Sequence, residues 1–184
     1  MSETWLISDT HFGHANIGRY CSRPEGWEEL IWKNLEAVPA GATLIHLGDV
    51  ALLPRRELAG VMSRLPGREK VLVEGNHDKR SRIRSVPGWS KVVRYGDLLE
   101  VQPGDLDTHS PRIVACHRPT DFPDPLADIF LFGHVHDTRP MWEWDRFGYL
   151  WVNLCVERWN YKPVPLSFIL DVWSSPHVTW RNPS

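Results

Sequence analysis

Five short apolar runs rich in β-branched residues punctuate the chain: Trp5-Leu6-Ile7, Leu44-Ile45-His46-Leu47, Val71-Leu72-Val73, Ile113-Val114-Ala115-Cys116 and Ile129-Phe130-Leu131-Phe132. Runs this short and apolar on both faces read as buried strands. Helical patterns separate the first three. Trp27, Leu30, Ile31, Asn34 and Leu35 keep a period of about 3.6 residues up to the breaker Pro39-Ala40-Gly41, and Leu58, Val61, Met62 and Leu65 keep it up to Pro66-Gly67. Such an alternating opening predicts parallel strands joined by helical crossovers. From Lys91 onward the pattern changes to strands without long helices: 92–101, a turn through Pro103-Gly104-Asp105, then 112–116, 149–156, 166–172 and 177–180. The expectation is an α/β chain whose mixed, strand-rich second half packs on the first.

Composition narrows the picture. With 184 residues, 42% of them hydrophobic, and no internal repeat, low-complexity tract or linker, one domain spanning 1–184 is expected. A chain of this length buries roughly 70% of its unfolded surface, so its core needs no metal or disulfide staple, and a metal site would serve function before folding. An aromatic content of 11% with a net charge of −2 excludes disorder. No apolar run approaches the ~18 residues of a membrane span, and Met1-Ser2-Glu3-Thr4 lacks the basic segment of a signal peptide. Cys21, Cys116 and Cys155 stand far apart and form no C-x-x-C pair, which argues against a disulfide framework or a thiolate zinc site. A reducing cytoplasm is the expected compartment.

Each of the five apolar runs is followed at once by residues that bind metals: Asp9-Thr10-His11, Gly48-Asp49, Gly75-Asn76-His77-Asp78, His117, and Gly133-His134-Val135-His136. The carboxyl ends of strands in an open α/β sheet form one edge, where ligand sites collect. Asp9/His11 and His134/His136 are spaced i, i+2, so in extended chain the members of each pair point the same way. The glycines before Asp49, Asn76 and His134 are expected to permit sharp turns. His46, His109 and His177 follow no run together with a partner ligand and are assigned to packing or to the surface.

The ordered set D-x-H, GD, GNHD, H, GHxH over residues 9–136 resembles that of the calcineurin-like metallophosphoesterases. The stretches Ser8-Asp9-Thr10-His11-Phe12-Gly13-His14-Ala15-Asn16-Ile17 and Trp159-Asn160-Tyr161-Lys162-Pro163-Val164 look like the small stand-alone phosphoesterases of bacteria and phages. The resemblance implies an α/β fold, a double β-sheet sandwich flanked by helices. It implies one metal on Asp9, His11 and His136, a second on Asn76, His117 and His134, and Asp49 as the bridge. His77 would be the catalytic acid at the substrate, and Asp78 a further catalytic residue or a loop support. Leu52 departs from the pattern, because the family often carries an acid or arginine there.

Carboxylate, amide and imidazole donors accept manganese, iron or zinc; manganese is favoured, magnesium is also admissible, and so many imidazoles exclude calcium. Two such ions clamp the attacking and leaving oxygens of a phosphate ester and activate a water between them. The expected activity is hydrolysis of a small phosphodiester such as a cyclic nucleotide. A nuclease acting on DNA or RNA, a phosphomonoesterase or protein phosphatase, and a non-catalytic metal-held scaffold are the alternatives. Between Arg55 and Arg94 eleven lysines and arginines face four acids, a field that attracts anions. His14, Arg55, Arg80 and Arg118 are the candidate substrate contacts within or near this field, with Arg56 as a further phosphate contact. The basic run Lys79, Arg80, Arg82 and Arg84 would either steer the substrate or form one exposed, solvated helical turn. Trp142 and Trp144, at i, i+2, offer either an aromatic platform for a nucleobase or ordinary packing.

Overall fold

The structure is a computed structural model that describes residues 3–103, 110–122 and 127–175, with only the backbone at Arg80 and Ser81. The end of the turn expected at Pro103-Gly104-Asp105, His109, and the strand expected at 177–180 with His177 and Trp180 lie outside the described residues.

Two five-stranded sheets carry the chain. In the first, β1 (Thr4–Ile7), β2 (Thr43–His46), β3 (Glu69–Val73) and β4 (Lys91–Val93) are parallel neighbours, with β10 (Val164–Pro165) antiparallel along the outer side of β1. Helices α2 (Trp27–Leu35) and α3 (Arg55–Arg64) make the first two crossovers, as their periodicity predicts; the short helices α1 (Ile17–Tyr20) and α4 (Asp78–Ser81) follow the first and third strands. In the second sheet, β6 (Ile113–Ala115), β7 (Ile129–Phe132) and β9 (Leu150–Asn153) are parallel. The flanking strands β5 (Leu99–Val101) and β8 (Trp142–Trp144) are antiparallel.

The alternation of side chains sorts these strands into layers. Leu6, Ile45 and Val73 of the first sheet share one hydrophobic cluster with Ile113, Ile129, Leu131 and Val152 of the second. The alternate residues Ile7, Leu44 and Leu72 face the other way, onto Ile31 and Leu35 of α2 and Leu58, Val61 and Met62 of α3. Phe130 and Val114 cover the outer face of the second sheet with Trp151 and Phe122. Truncating one of these fully buried side chains to alanine costs about 2–5 kcal/mol.

Two expectations are corrected. Residues 166–172 are not a strand but lie in α5 (Leu166–Ser174), whose Leu166 and Ile169 enter the shared cluster one helical turn apart. The run Leu166-Ser167-Phe168-Ile169-Leu170 is apolar nearly all round, so period alone does not separate helix from strand there. Residues 92–101 are not one strand, because the chain leaves the first sheet after Val93 and enters the second at Leu99. Of the two readings of Trp142 and Trp144 the packing one holds: they form β8 and pack on the shared cluster, with Trp142 against Trp159 and Phe168.

Candidate metal centre

The five predicted strand ends meet at one edge. Asp9 N–H donates to the Gly48 carbonyl at 3.0 Å and His11 N–H to the Asp49 carbonyl at 2.9 Å, so the first two loops run on as a parallel ribbon beyond their sheet. Gly133 N–H donates to the His117 carbonyl at 3.0 Å and ties the loops of the second sheet to each other. Asp78 joins the second loop to the third. Its buried carboxylate accepts from the backbone N–H groups of Asp49 (2.8 Å), Val50 (3.0 Å) and Gly75 (2.8 Å). Burial and the neighbouring Asp49 charge push Asp78 up to about 6, against the pull of those amides. Asp78 therefore lies beneath the site as a loop support and does not line the cavity.

The backbone differs from the i, i+2 expectation. Asp9, His11, Asp49, His134 and His136 all occupy left-handed backbone, with φ of 57°, 52°, 56°, 71° and 47°. Their side chains converge because each loop coils, not because it is extended. Non-glycine residues rarely sit there, although Asp and His tolerate it better than most. Gly75 and Gly133 serve close approach: a Cβ would fall 2.2 Å from Asp49 Oδ1 at Gly75 and 2.4 Å from Asp9 Oδ2 at Gly133.

Around this edge Asp9, His11 and His136 form one half of the site. His11 Nε2 lies 3.6 Å from Asp9 Oδ1, and His136 Nε2 lies 3.8 Å from the same oxygen. Asn76, His117 and His134 form the other half, with His117 Nε2 3.1 Å from Asn76 Oδ1 and the His117 and His134 rings 5.1 Å apart. Asp49 stands between them, its Oδ2 3.7 Å from His11 Nε2 and 3.5 Å from His117 Nε2. The groupings Asp9/His11/Asp49 and Asp49/His117/His134 each bring their ligand atoms within 4.8 Å of one another. Asp9 Oδ1 and His11 Nε2 are buried without a hydrogen-bond partner, facing each other at a distance too long for a hydrogen bond. Buried polar atoms are costly unless charge is supplied to them, so these residues fit a bound cation.

The electrostatics agree. Burial alone would lower His117 and raise Asp49; instead their mutual hydrogen bond and charges hold His117 up at about 9 and Asp49 below its ordinary value. Burial opposes charge on His136 too, yet Cys21, Glu157 and Asp9 push it up to about 11. The site thus favours positive charge at these nitrogens, whether from a proton or from a metal ion. Cys155 Sγ donates to Asp9 Oδ2 at 3.3 Å, and burial and the Asp9 charge keep its thiol protonated.

Arg23 and Glu157 are two supports that the sequence pattern did not single out. The Arg23 guanidinium is buried; it donates to the Asp9 and Thr10 carbonyls at 2.7 and 2.9 Å and to Glu157 Oε1 at 2.6 and 2.8 Å. Glu157 Oε1 in turn accepts from His136 Nδ1 at 2.9 Å, which leaves Nε2 as the nitrogen turned to the site. From the last residue of β9 onward the chain runs Asn153, Cys155, Glu157, the same order of strand followed by ligand types as in the five predicted cases, and that signal could have found Glu157. His46, assigned to packing, is buried against Thr10 with Nε2 2.9 Å from Oγ1, and burial lowers it to about 3.

A cavity of about 550 Å³ opens over the ligands, walled by His14, Ile17, Tyr20, His77, Val135 and Asp137, among others. His77 is about one-third exposed, its Nε2 3.9 Å from Asp49 Oδ2 and its N–H donating to Asp49 Oδ1 at 2.8 Å. His14 lies edge-on to His11 and His77 at 5.5 and 5.8 Å. Arg118 and Lys79 instead flank the Tyr95 ring at 5.3 and 4.5 Å, and that ring is 6.3 Å from His117. Arg55 is exposed on the first turn of α3 and does not line the cavity; Arg56 there pairs with Glu57. The Arg80 side chain lies outside the described residues, and Arg84 pairs with buried Glu74 at 3.2 Å, so the basic run is divided between two tasks. Among the described residues, none that lines the cavity is a lysine or arginine.

No protein-family model matches the chain. It is similar to the uncharacterised protein MJ1445 of Methanocaldococcus jannaschii, 29% identical over 183 residues, covering 94% of this chain and 92% of that one. Among solved structures it resembles the protein of unknown function AQ665 from Aquifex aeolicus, with a TM-score of 0.66 and 27% identity over 94% of this chain and 100% of that one. A looser likeness, TM-score 0.45 at 17% identity, covers 82% of this chain and 72% of a Vps29 mutant from Entamoeba histolytica. No described helix is long and apolar enough to cross a membrane.

Proposed function

We propose that this chain is a two-metal phosphoesterase of the calcineurin-like kind, its two sheets and flanking helices forming that family's double sandwich, and that it hydrolyses small phosphodiesters. The observation that carries the reading is the pair of buried, unpartnered ligand atoms on Asp9 and His11, with Asp49 standing between two sets of imidazoles. One ion would be held by Asp9, His11 and His136, the other by Asn76, His117 and His134, with Asp49 shared; manganese, iron or zinc suits these donors. Bound there, the ions would supply Lewis-acid activation of water and charge neutralisation on the phosphoryl oxygens.

The chain's own residues do the rest. His77, on the cavity wall beside Asp49, donates the proton that the leaving oxygen needs. Asp78 fixes Asp49 and the loop that carries Asn76 and His77, while Arg23 and Glu157 hold the first loop and the His136 ring. A diester is favoured over a monoester because the latter brings a second negative charge, and among the described residues no lysine or arginine lines the cavity to receive it. The test compares bis(4-nitrophenyl) phosphate with 4-nitrophenyl phosphate on protein loaded with manganese. Faster turnover of the diester is expected. A faster monoester would overturn the substrate class, and no hydrolysis of either with manganese, iron or zinc would overturn the activity.

A further inference from the structure

Resting on the phosphoesterase reading, we propose that Tyr20, Ile17 and Val135 form a subsite that stacks a nucleobase carried by the phosphate ester. Tyr20 is 74% exposed, the most exposed large apolar side chain described. A lone exposed aromatic is ordinary; its position here is not. Tyr20 lines the same cavity as Asp49 and His77 and lies edge-on to His14 at 6.3 Å, so two ring contacts, through His14, connect it to His77. A ring lying on Tyr20 therefore sits beside the catalytic groups without covering them.

The wall is built into the fold. Ile17 is buried at its base, with its N–H on the His14 carbonyl at 3.2 Å; Val135 lies between two ligands of opposite halves, His134 and His136. Arg23, three residues past Tyr20, donates to the Gly18 carbonyl at 2.9 Å through its own N–H and grips the first metal loop through its side chain. The short helix that carries Tyr20 is thereby anchored to the metal loop. At the rim stands the exposed acid Asp137, an acceptor for the exocyclic amino groups of a base and a repellent for a second anion. Apolar wall, aromatic face, acidic rim and the lack of a lysine or arginine among the described lining residues together match a base better than a sugar phosphate or an acidic peptide.

The experiment uses three diesters with one leaving group, adenosine 5′-(4-nitrophenyl) phosphate, phenyl 4-nitrophenyl phosphate and methyl 4-nitrophenyl phosphate, on manganese-loaded wild type, Tyr20→Phe and Tyr20→Ala. Wild type should prefer the adenosine ester over the methyl ester in kcat/KM. Tyr20→Phe should keep that ratio and Tyr20→Ala reduce it about tenfold, the scale of one lost base stack. Adenosine binding to the metal-free protein, followed by NMR titration, should weaken to a similar extent in Tyr20→Ala. A ratio and an adenosine affinity both unchanged in Tyr20→Ala would overturn the subsite. If no ester is hydrolysed with any metal, the phosphoesterase reading fails, and the adenosine titration alone decides the subsite.

Discussion

The two halves of the site are supported by different means. Asp9, His11 and His136 are braced by side chains: Arg23 grips the loop carbonyls, Glu157 fixes the His136 ring, and Ser8 Oγ donates to Asp9 at 2.5 Å. In the other half His117 leans on the backbone, its Nδ1 donating to the Leu47 carbonyl at 2.7 Å, while His134 N–H donates across to Asp9 Oδ2 at 2.9 Å. A carbonyl cannot be mutated away, whereas an ion pair can. The first half should therefore be separable from the second by substitution at positions that never touch a ligand's metal-facing atom, such as Glu157, whereas the second half should yield to changes in its ligands, in Asp78 or in Asp9, which holds the His134 N–H.

Asp49 belongs to both halves and gives the largest effect. Asp49→Ala should reduce metal content from about two ions per chain toward none and abolish hydrolysis, whereas His11→Ala should cost mainly one; wild-type metal content in Asp49→Ala would break the two-half description. Next, His77→Ala should lower kcat by roughly 10²–10⁴ while the ions stay, and by less for nitrophenyl than for alkyl leaving groups, which need the proton more. Equal losses on both esters would place His77 in binding instead. Glu157→Gln should then weaken one ion of the two by about 10–100-fold, seen as one tight and one weak phase in a metal titration. Two equally weakened phases would mean that the brace serves the whole site. Arg23→Met leaves buried Glu157 with only His136 as its partner among the described residues and strips the Asp9 and Thr10 carbonyls of their donor, and should add a stability loss of up to about 3–5 kcal/mol.

The smallest effect concerns His46, beneath the first half. Burial lowers it from 6.5 to about 3, opposed by Asp9 and Asp49 and reinforced by His11 and His117. Below pH 6.5 the unfolded chain takes up a proton that the folded chain refuses, so acid destabilises the fold; above 6.5 the group contributes nothing. Between pH 7 and 5 this amounts to about 2 kcal/mol. Urea unfolding of the metal-free His46→Gln variant should show a correspondingly shallower loss over that interval, and an identical slope would mean that His46 is not held neutral.

The strand ends and their ligand types were legible because each pairing of run and ligand is local in sequence. Glu157 was legible only as a ligand type following a strand, and Arg23 not at all, since it lies 134 residues from Glu157 and acquires meaning only when both reach the same loop. The glycine roles were half legible: Gly48 has the expected positive φ of 93°, whereas Gly75 and Gly133 are required by oxygens brought from other loops. The 166–172 segment was misread because a nearly all-apolar run carries no period. Tyr20 went unnoticed for the opposite reason: it belongs to no run and owes its interest entirely to the cavity that folding places beside it.

Left-handed backbone at Asp9, His11, Asp49, His134 and His136 has a consequence for how this chain can change. Asparagine and glycine suit that conformation at least as well as the ligands do, and neither brings a carboxylate into the cluster. Asp49→Gly or Asp9→Asn would ease the backbone there but also remove a carboxylate that His117 or His136 faces. Backbone ease and charge pairing thus pull in opposite directions at this edge, so a drift toward asparagine or glycine at these positions would trade one kind of strain for another.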